Sequence, residues 1–351
     1  MRGDSMEQDV QKKDGDKLRK RRVWKIVVGS ILLITVAFAA SVVGMTWHYM
    51  NKIQRPDDSA SYMNEEEYAS RIQQEEGKPN ANLSEIDPDS VIWSDGNPLG
   101  LTGDVTNILL IGQDAREGEG RGRSDSIILC SINRTSGKIC MVSFLRDLYV
   151  QIPGYQDNRI NAAYAFGGTE LLDQTIEQNF GLTIDANIEI DFGGFEAVID
   201  ALGGVDITLT DAEYEYFHEN GQTYAVRGEN HFNGEQALFY ARIRYLDSDF
   251  GRTSRQRTVL LSVFEKIRTA SLSEILSLAD TLLPLMTVDL SNGEMLRYVA
   301  DFYPLLRTGS IDTFAIPAGG TYTYASIREM SVIVPDLTAC RNLLKERLSA
   351  N

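Results

Sequence analysis

Cysteine and histidine are scarce in this chain, and their scarcity excludes several kinds of site. The 351 residues include only three cysteines, Cys130, Cys140 and Cys340, which are too few for a disulfide framework. No CxxC pair and no Cys/His cluster has metal-ligand spacing, so we predict no zinc site. Cys130 and Cys140 flank a predicted hairpin turn, which leaves a cross-strand disulfide and two buried free thiols as alternatives.

Several familiar catalytic motifs are also absent. The sequence contains no G-x-S-x-G nucleophile elbow, no P-loop and no H-E-x-x-H zinc-protease motif. Gly118, Gly120 and Gly122 do not match the dinucleotide-binding fingerprint. These absences argue against an α/β-hydrolase, a P-loop enzyme and a zinc protease.

After the first 25 residues, acidic residues outnumber basic ones. Residues 1–25 carry a net charge of +4, whereas the remainder of the chain carries −20. An acidic body argues against a nucleic-acid partner, because binding the phosphate backbone requires a basic face. Arginines that cluster within this acidic part are therefore informative.

One long apolar segment is present. Ile26–Trp47 has 22 residues without a charge, and a helix of that length spans ~33 Å, enough for a ~30 Å hydrocarbon core. Basic residues crowd its N-terminal side, so the N-terminus is predicted to be cytoplasmic and the rest extracellular. Ala37–Ala39 resembles a signal-peptidase site, but the apolar run continues beyond it, which favours an uncleaved single-pass membrane anchor.

The predicted organisation has four parts. Residues 1–25 form a cytoplasmic tail, 26–50 a transmembrane helix, 51–104 an acidic extracellular stalk with a short helix near Glu65–Glu75, and 105–351 a folded extracellular domain. In this domain short apolar runs alternate with helical patterns, and Ser126–Ile132 with Lys138–Phe144 predicts a hairpin. Helices are predicted at Asn161–Phe166 and Thr169–Phe180, with Gly167-Gly168 between them and Gly181 at the end, and at Leu337–Leu348. The alternation predicts an α/β fold with helices on both faces of a central sheet.

Charged residues recur where predicted strands and helices begin or end. The segments concerned are Gly112–Arg116, Arg121–Ser126, Arg146–Asp147, Ala241–Arg244 and Asp249–Arg257. Ligands of open α/β sheets bind beyond the carboxyl ends of strands, so these segments are candidates for one site.

Four arginines lie within residues 242–255. Arg252 and Arg255 fall in the first turn of a predicted helix, where cations are unfavourable unless an anion joins them. Arg242 and Arg244 are two residues apart and converge only if the preceding helix ends near Arg242. Solvated surface arginines are the alternative, but their number in an acidic body favours a phosphate cluster.

Asp114 and Asp125 are predicted to share a divalent metal ion, Mg²⁺ or Mn²⁺. Mg²⁺ takes one or two carboxylates together with phosphate oxygens and water. Two acids at strand ends, facing clustered arginines, make a chemically complete diphosphate site.

Taken together and in order, these segments resemble the LytR–CpsA–Psr (LCP) family over about residues 104–270. The matching stretches are Asn107–Arg116, Arg123–Ile128, Arg146–Asp147, Ile152–Gly154, Arg159–Gly168, Asp200–Asp206, Phe232–Arg244 and Asp249–Arg257. The family usually has Ser-Ile-Pro where this chain has Ser143-Phe144-Leu145, a departure that affects the shape of the loop rather than its charge.

The resemblance implies a three-layer α/β/α sandwich around a mixed sheet, with an apolar pocket for a polyprenyl chain. Helices after Asn161 and Arg252 would line this pocket. It implies an Mg²⁺-dependent phosphotransferase at the cell membrane of a Gram-positive bacterium. This enzyme would move a teichoic-acid-like or capsular glycopolymer from an undecaprenyl diphosphate carrier to peptidoglycan.

The same resemblance assigns roles by motif. Asp114 and Asp125 look like the metal ligands. The residues that look like diphosphate binders are Arg123, Arg146, Arg242, Arg244, Arg252 and Arg255. Among all of these, the catalytic set would be Asp114, Asp125, Arg123, Arg146, Arg244 and Arg252.

Two other functions remain open. A polyprenyl diphosphate hydrolase would use the same residues, with water as the attacking group. A non-catalytic lipid-binding regulator is disfavoured, because it would not need Asp114 and Asp125 together. Asp147 and Asp249 are both candidates for the general base.

Overall fold

The computed structural model describes His48 and residues 51–56, 62–76, 82–113, 122–244 and 246–350. Apart from His48, the predicted cytoplasmic tail and transmembrane helix lie outside these ranges, as does Asp114. Within them, no helix has both the length and the apolar character needed to span a membrane. The chain divides into the units Met1–Lys52 and Ile53–Asn351, and the second carries the fold.

The strands are numbered in chain order. They are β1 (Ser84–Glu85), β2 (Val105–Gln113), β3 (Ser124–Asn133), β4 (Lys138–Phe144), β5 (Tyr149–Val150), β6 (Asn158–Arg159), β7 (Ala186–Ile190), β8 (Val205–Leu209), β9 (Gly228–Phe232), β10 (Thr287–Val288), β11 (Ser310–Ile316), β12 (Tyr322–Ile327) and β13 (Met330–Pro335).

The α-helices are numbered in the same way. They are α1 (Glu65–Glu76), α2 (Ile160–Phe180), α3 (Phe192–Ala201), α4 (Asp211–Glu219), α5 (Gly234–Ala241), α6 (Asp249–Thr269), α7 (Leu272–Leu282), α8 (Asn292–Thr308) and α9 (Leu337–Leu348).

A six-stranded mixed sheet forms the centre, in the order β10-β7-β2-β3-β4-β11. Strands β2, β3 and β4 are antiparallel neighbours, and the predicted hairpin is confirmed. Strand β7 runs parallel to β2, and β11 runs parallel to β4. The central strands are apolar on both faces because both faces are covered.

Successive residues of these strands point into two different cores. On one face Leu109 and Leu129 pack with α2 and α9, and on the other Ile108 and Ile132 pack with α8. The register pairs Cys140 with Ser131, so Cys130 and Cys140 lie on opposite faces. Both thiols are free and buried, which excludes the disulfide alternative.

Glycines shape α2 as the sequence predicts. The helix is kinked at Gly167 and Gly168, and it ends at Gly181, whose φ of 69° is in the left-handed region. A side chain at Gly181 would also collide with the carbonyl oxygen of Asn97. Glycine at this position therefore lets the segment before β2 pack against the end of α2.

The segment before β2 differs from the predicted stalk. Tyr68 and Ile72, one turn apart on α1, are buried in the main core together with Leu99, and the Tyr68 hydroxyl donates to Asn161 Oδ1 at 2.8 Å. Strand β1 pairs with β12. Residues 62–76 and 82–104 are therefore part of the folded domain, because a few large apolar side chains anchor an otherwise acidic segment.

Candidate active site

Asp125 is held between two arginines at the start of β3. Its Oδ1 accepts a hydrogen bond from Arg146 Nη1 at 2.8 Å, and its Oδ2 accepts one from Arg244 Nη2 at 2.7 Å. A register irregularity between Gly112 and Gln113 shapes the strand pairing here. Burial opposes ionisation, but the charges of Arg146, Arg244 and Arg252 lower the pKa of Asp125 to about 2. The carboxylate is therefore charged.

Arg146 also joins Asp125 to a second acid. Its Nε lies 3.4 Å from Asp147 Oδ2, and Arg159 Nη1 lies 3.4 Å from Asp147 Oδ1. Burial alone would raise the pKa of Asp147, but Arg146 and Arg159 hold it below its usual value. Burial likewise tends to lower the pKa of Arg146, yet Asp147 and Asp125 raise it. Asp147 and Arg146 are therefore both charged.

Arg252 is the most unusual side chain of the site. It is 2% exposed, and its Nε, Nη1 and Nη2 have no hydrogen-bond partner among the described residues. It forms an ion pair with Asp249, in which Nη2 lies 3.3 Å from Oδ1. Burial and the charge of Arg146 lower the pKa of Arg252 to about 10. A buried cation with unused donors is costly, and a bound anion would remove that cost.

Arg242 and Arg244 both lie beside the same cavity. Residues two apart could not do so on a continuing helix, so the preceding helix must end next to them. Helix α5 ends at Ala241, and Arg242 is its C-cap with φ −98° and ψ 0°. The guanidinium carbon of Arg242 lies 4.4 Å from the centroid of the Phe192 ring. Arg244 turns instead to Asp125.

A cavity between the sheet and helices α3, α5 and α6 joins the charged groups to an apolar wall. Five charged residues line it, Asp125, Asp191, Arg242, Arg244 and Arg252. Its apolar lining is Leu110, Ile111, Ile128, Ile190, Phe192, Phe195, Leu238, Ala241 and Leu260. The helix after Arg252 contributes to the wall as expected. Helix α2, which contains Asn161, contributes none of these lining residues, because it covers the other face of the sheet.

Arg255 does not join this group. Its guanidinium donates to both carboxylate oxygens of Asp247, at 2.9 and 2.7 Å, and to the Ile243 carbonyl at 3.0 Å. Glu213 Oε1 lies 3.5 Å away. Residues three apart on a helix differ by about 60° in direction, and this offset turns Arg255 away from the cavity that Arg252 lines.

Two further predicted residues are Arg123 and Asp114. Arg123 is buried directly before β3 and does not line the cavity. Of the two predicted metal ligands, only Asp125 falls within the described residues. In this described part, no group of three or more His, Cys, Asp or Glu side chains is arranged to hold a metal ion.

Sequence reasoning missed some residues of the site. Phe192 and Phe195 line the cavity, and Gln256 lies one turn beyond Arg252 on α6. Arg159, on β6, pairs with Asp147, which lies in the turn between β4 and β5. Phe192 and Phe195 follow directly after β7, and aromatic residues at a strand end could have been predicted to line a site. The pairing of Arg159 could not, because it depends on a contact between distant segments.

The sequence is similar to a family model and to several known proteins. The sequence model of the LytR_cpsA_psr family matches residues 60–344. A protein of Oceanobacillus iheyensis, polyisoprenyl-teichoic acid–peptidoglycan teichoic acid transferase TagU, is 33% identical over 274 residues, or 76% of each chain. The TagU protein of Bacillus mycoides is 41% identical over 179 residues, which are 50% of this chain and 56% of that protein.

Solved structures share the fold. The structure described as TagT bound to LIIa-WTA has a TM-score of 0.59 at 25% identity, over 77% of this chain and 98% of that one. B. subtilis TagV has a TM-score of 0.56 at 28% identity, over 72% and 100%. The range matched by the family model contains every residue of the candidate site.

Proposed function

The chain belongs to the LytR_cpsA_psr family, and from this membership we propose that it is a glycopolymer phosphotransferase. It attaches a teichoic-acid-like or capsular polymer, carried on undecaprenyl diphosphate, to peptidoglycan. Two relatives are named as transferases of teichoic acid from a polyisoprenyl carrier to peptidoglycan, which supports the proposal. A structure of TagT bound to LIIa-WTA supports the same class of donor.

One observation carries the proposal on the structural side. The buried guanidinium of Arg252 has unused donors in the described part of the chain, and it lines the same cavity as Asp125, Arg244 and a set of apolar side chains. A lipid diphosphate fits both features, because its phosphate oxygens accept from arginines and its prenyl chain requires an apolar wall.

An Mg²⁺ ion, or Mn²⁺ in its place, is part of the proposal. Asp125 is ionised, and each of its oxygens accepts one arginine hydrogen bond, which leaves one lone-pair site on each oxygen. It therefore fits as one carboxylate ligand, with Asp114 as the second and with phosphate oxygens and water completing the set. The bound ion would withdraw negative charge from the phosphates.

In the proposed reaction, a sugar hydroxyl of peptidoglycan attacks the phosphorus next to the polymer. A new oxygen–phosphorus bond forms, and the bond from that phosphorus to the bridging oxygen breaks. Polyprenyl phosphate leaves with the electron pair, and the hydroxyl proton passes to a base. Arg146, Arg244 and Arg252 stabilise the charge that develops on the leaving phosphate.

We propose Asp249 as the base. Asp147 is held in its charged form between Arg146 and Arg159, and its pKa is lowered, so it is a poor proton acceptor. Asp249 has a side chain that is 31% exposed, and among the described residues its one ion pair is with Arg252, at 3.3 Å. It lies beside the arginines and remains accessible to a second substrate.

We also propose a location at the cell membrane. Residues 26–50 would cross it once, with the N-terminus in the cytoplasm and the domain outside, where peptidoglycan lies. The basic residues before the apolar segment support this orientation. Protease added to intact protoplasts should digest the domain and spare the N-terminal tail, and full protection of the domain would contradict the proposal.

The activity is tested with the full chain in detergent, a lipid-diphosphate-linked glycan, Mg²⁺ and soluble peptidoglycan oligomers. Wild type should form a covalent glycan–peptidoglycan product, and Asp125→Ala should lose it. Arg268→Ala is the control, because Arg268 is a half-exposed arginine in the last turn of the same helix as Arg252. Equal product from wild type and Asp125→Ala would contradict the proposal, and release of glycan phosphate without coupling would indicate a hydrolase.

A further inference from the structure

Three aromatic side chains lie together beside the candidate site. Phe250 is in the first turn of α6, and Tyr322 and Tyr324 are alternate residues of β12, so they share one face of that strand. The rings of Phe250 and Tyr322 are stacked with centroids 5.0 Å apart, and those of Tyr322 and Tyr324 meet edge to face at 5.3 Å. We call these three residues the aromatic ledge.

The aromatic ledge packs on the main core through two of its rings and exposes the third to solvent. Phe250 and Tyr322 pack against the main core, which restricts their rings. Tyr324 is 41% exposed. An exposed aromatic ring on a packed support is preorganised to bind an amphipathic ligand, because little side-chain entropy is lost on binding.

The aromatic ledge borders the charged cluster. Phe250 directly follows Asp249, which pairs with Arg252. Burial and the neighbouring Tyr322 raise the pKa of Tyr324 to about 12, and the carboxylates of Asp249 and Asp147 add to that shift. Tyr324 is therefore within electrostatic reach of both acids.

The aromatic ledge and the apolar cavity are separate. None of the three ledge residues is among those that line the cavity. Arg252 lines the cavity and its ion-pair partner Asp249 adjoins the aromatic ledge. The charged cluster thus has an apolar wall on one side and an aromatic surface on another.

We propose that the aromatic ledge binds a sugar ring of the peptidoglycan acceptor and presents its hydroxyl to Asp249. This inference rests on the proposed function, in which the lipid-linked donor occupies the cavity and a second, lipid-free glycan must approach the same phosphate. Sugar rings have apolar C–H faces that pack on aromatic rings, and hydroxyls that pair with carboxylate oxygens. The aromatic ledge offers the rings, and Asp249 beside it offers the carboxylate.

The test compares four full-length proteins: wild type, Tyr324→Ala, Tyr324→Phe and Tyr224→Ala. Tyr224 is a matched control because it is also 41% exposed but packs in a different aromatic cluster, with Phe217 and Phe232. Calorimetric titration with soluble, uncross-linked peptidoglycan oligomers measures acceptor binding without any reaction. Transfer assays give the KM values for acceptor and donor separately.

Tyr324→Ala should weaken acceptor binding, and raise the acceptor KM, by about tenfold. Its donor KM and its thermal midpoint should match those of wild type. Tyr324→Phe keeps the ring and should bind within about twofold of wild type, as should Tyr224→Ala. Equal weakening by Tyr324→Phe and Tyr324→Ala would contradict a stacking role.

The outcomes separate this inference from the proposed function. Unchanged acceptor affinity in Tyr324→Ala overturns the aromatic ledge as a binding site, even if wild type performs the transfer. Absence of oligomer binding to wild type overturns it as well. Binding that depends on Tyr324 without any transfer product supports the ledge and refutes the transferase.

Discussion

Arg244 Nη2 and Asp125 Oδ2 are 2.7 Å apart although their residues are 119 positions apart in the chain. This ion pair joins the end of α5 to the start of β3. Because Arg146 binds the other oxygen of Asp125, one carboxylate positions two arginines. The relationship makes Asp125 both an anchor for the arginines and the proposed metal ligand.

The charge state of Asp125 should make the domain sensitive to acid. Its pKa falls from 3.8 to about 2 on folding, so between these pH values the unfolded chain binds more protons than the folded one. The ion pairs therefore contribute stability above pH ~4 that is lost as the pH falls toward ~2, about 2 kcal/mol in total.

Urea unfolding of wild type and Asp125→Asn at a series of pH values measures this effect. The free energy of unfolding of wild type should fall more steeply below pH ~4 than that of Asp125→Asn, which has no carboxylate to protonate. Identical pH dependence in the two proteins would show that Asp125 does not have a lowered pKa.

Replacing Arg252 with an apolar side chain should stabilise the folded domain. Its three side-chain nitrogens are buried without hydrogen-bond partners in the described structure, and unsatisfied buried donors cost about 1–3 kcal/mol. Arg252→Met, similar in length, should raise the free energy of urea unfolding by about that amount in the absence of ligand. The loss of the Arg252 charge costs Asp249 little, because Asp249 is partly exposed, and Asp125 keeps its hydrogen bonds from Arg146 and Arg244.

Two comparisons make the Arg252 experiment specific. Arg257→Met changes a buried arginine of the same helix that does donate, to Ser143 Oγ at 2.7 Å, and should lower stability by about 1 kcal/mol. Inorganic diphosphate with Mg²⁺ should raise the thermal midpoint of wild type but not that of Arg252→Met. An Arg252→Met protein that is less stable than wild type would contradict the presence of unused donors.

The segment before β2 should be required for a stable domain. Tyr68 is 0% exposed, and truncating a buried aromatic side chain costs about 3–5 kcal/mol. Tyr68→Ala should therefore lower the free energy of unfolding by about that amount, while Glu66→Ala, at an exposed position of the same helix, should change it by less than ~0.5 kcal/mol. A negligible effect of Tyr68→Ala would restore the stalk interpretation.

Local patterns in the sequence predicted many elements closely. The helix predicted at Leu337–Leu348 and the strand predicted at Lys138–Phe144 have those same bounds in the structure. The glycines within and after α2 predicted its kink and its end. These features depend on residues close in the chain, so periodicity and backbone freedom suffice to predict them.

The candidate site was predictable as a set of segments but not in its contacts. The motifs identified Asp125, Arg146, Arg244 and Arg252, which do meet. Nothing local distinguished Arg255, which turns to Asp247 instead. Tyr322 and Tyr324 carry no motif, and only the packing of β12 beside α6 reveals them.

The sequence by itself determined the acidic body, the order of the elements and the types of residue that gather phosphates, because composition and short-range periodicity encode them. Tertiary structure alone decided the direction of each guanidinium, the inclusion of the segment before β2 and the existence of the aromatic ledge. These depend on contacts between distant residues, whose geometry follows from how helices and strands pack and not from the pattern within any one of them.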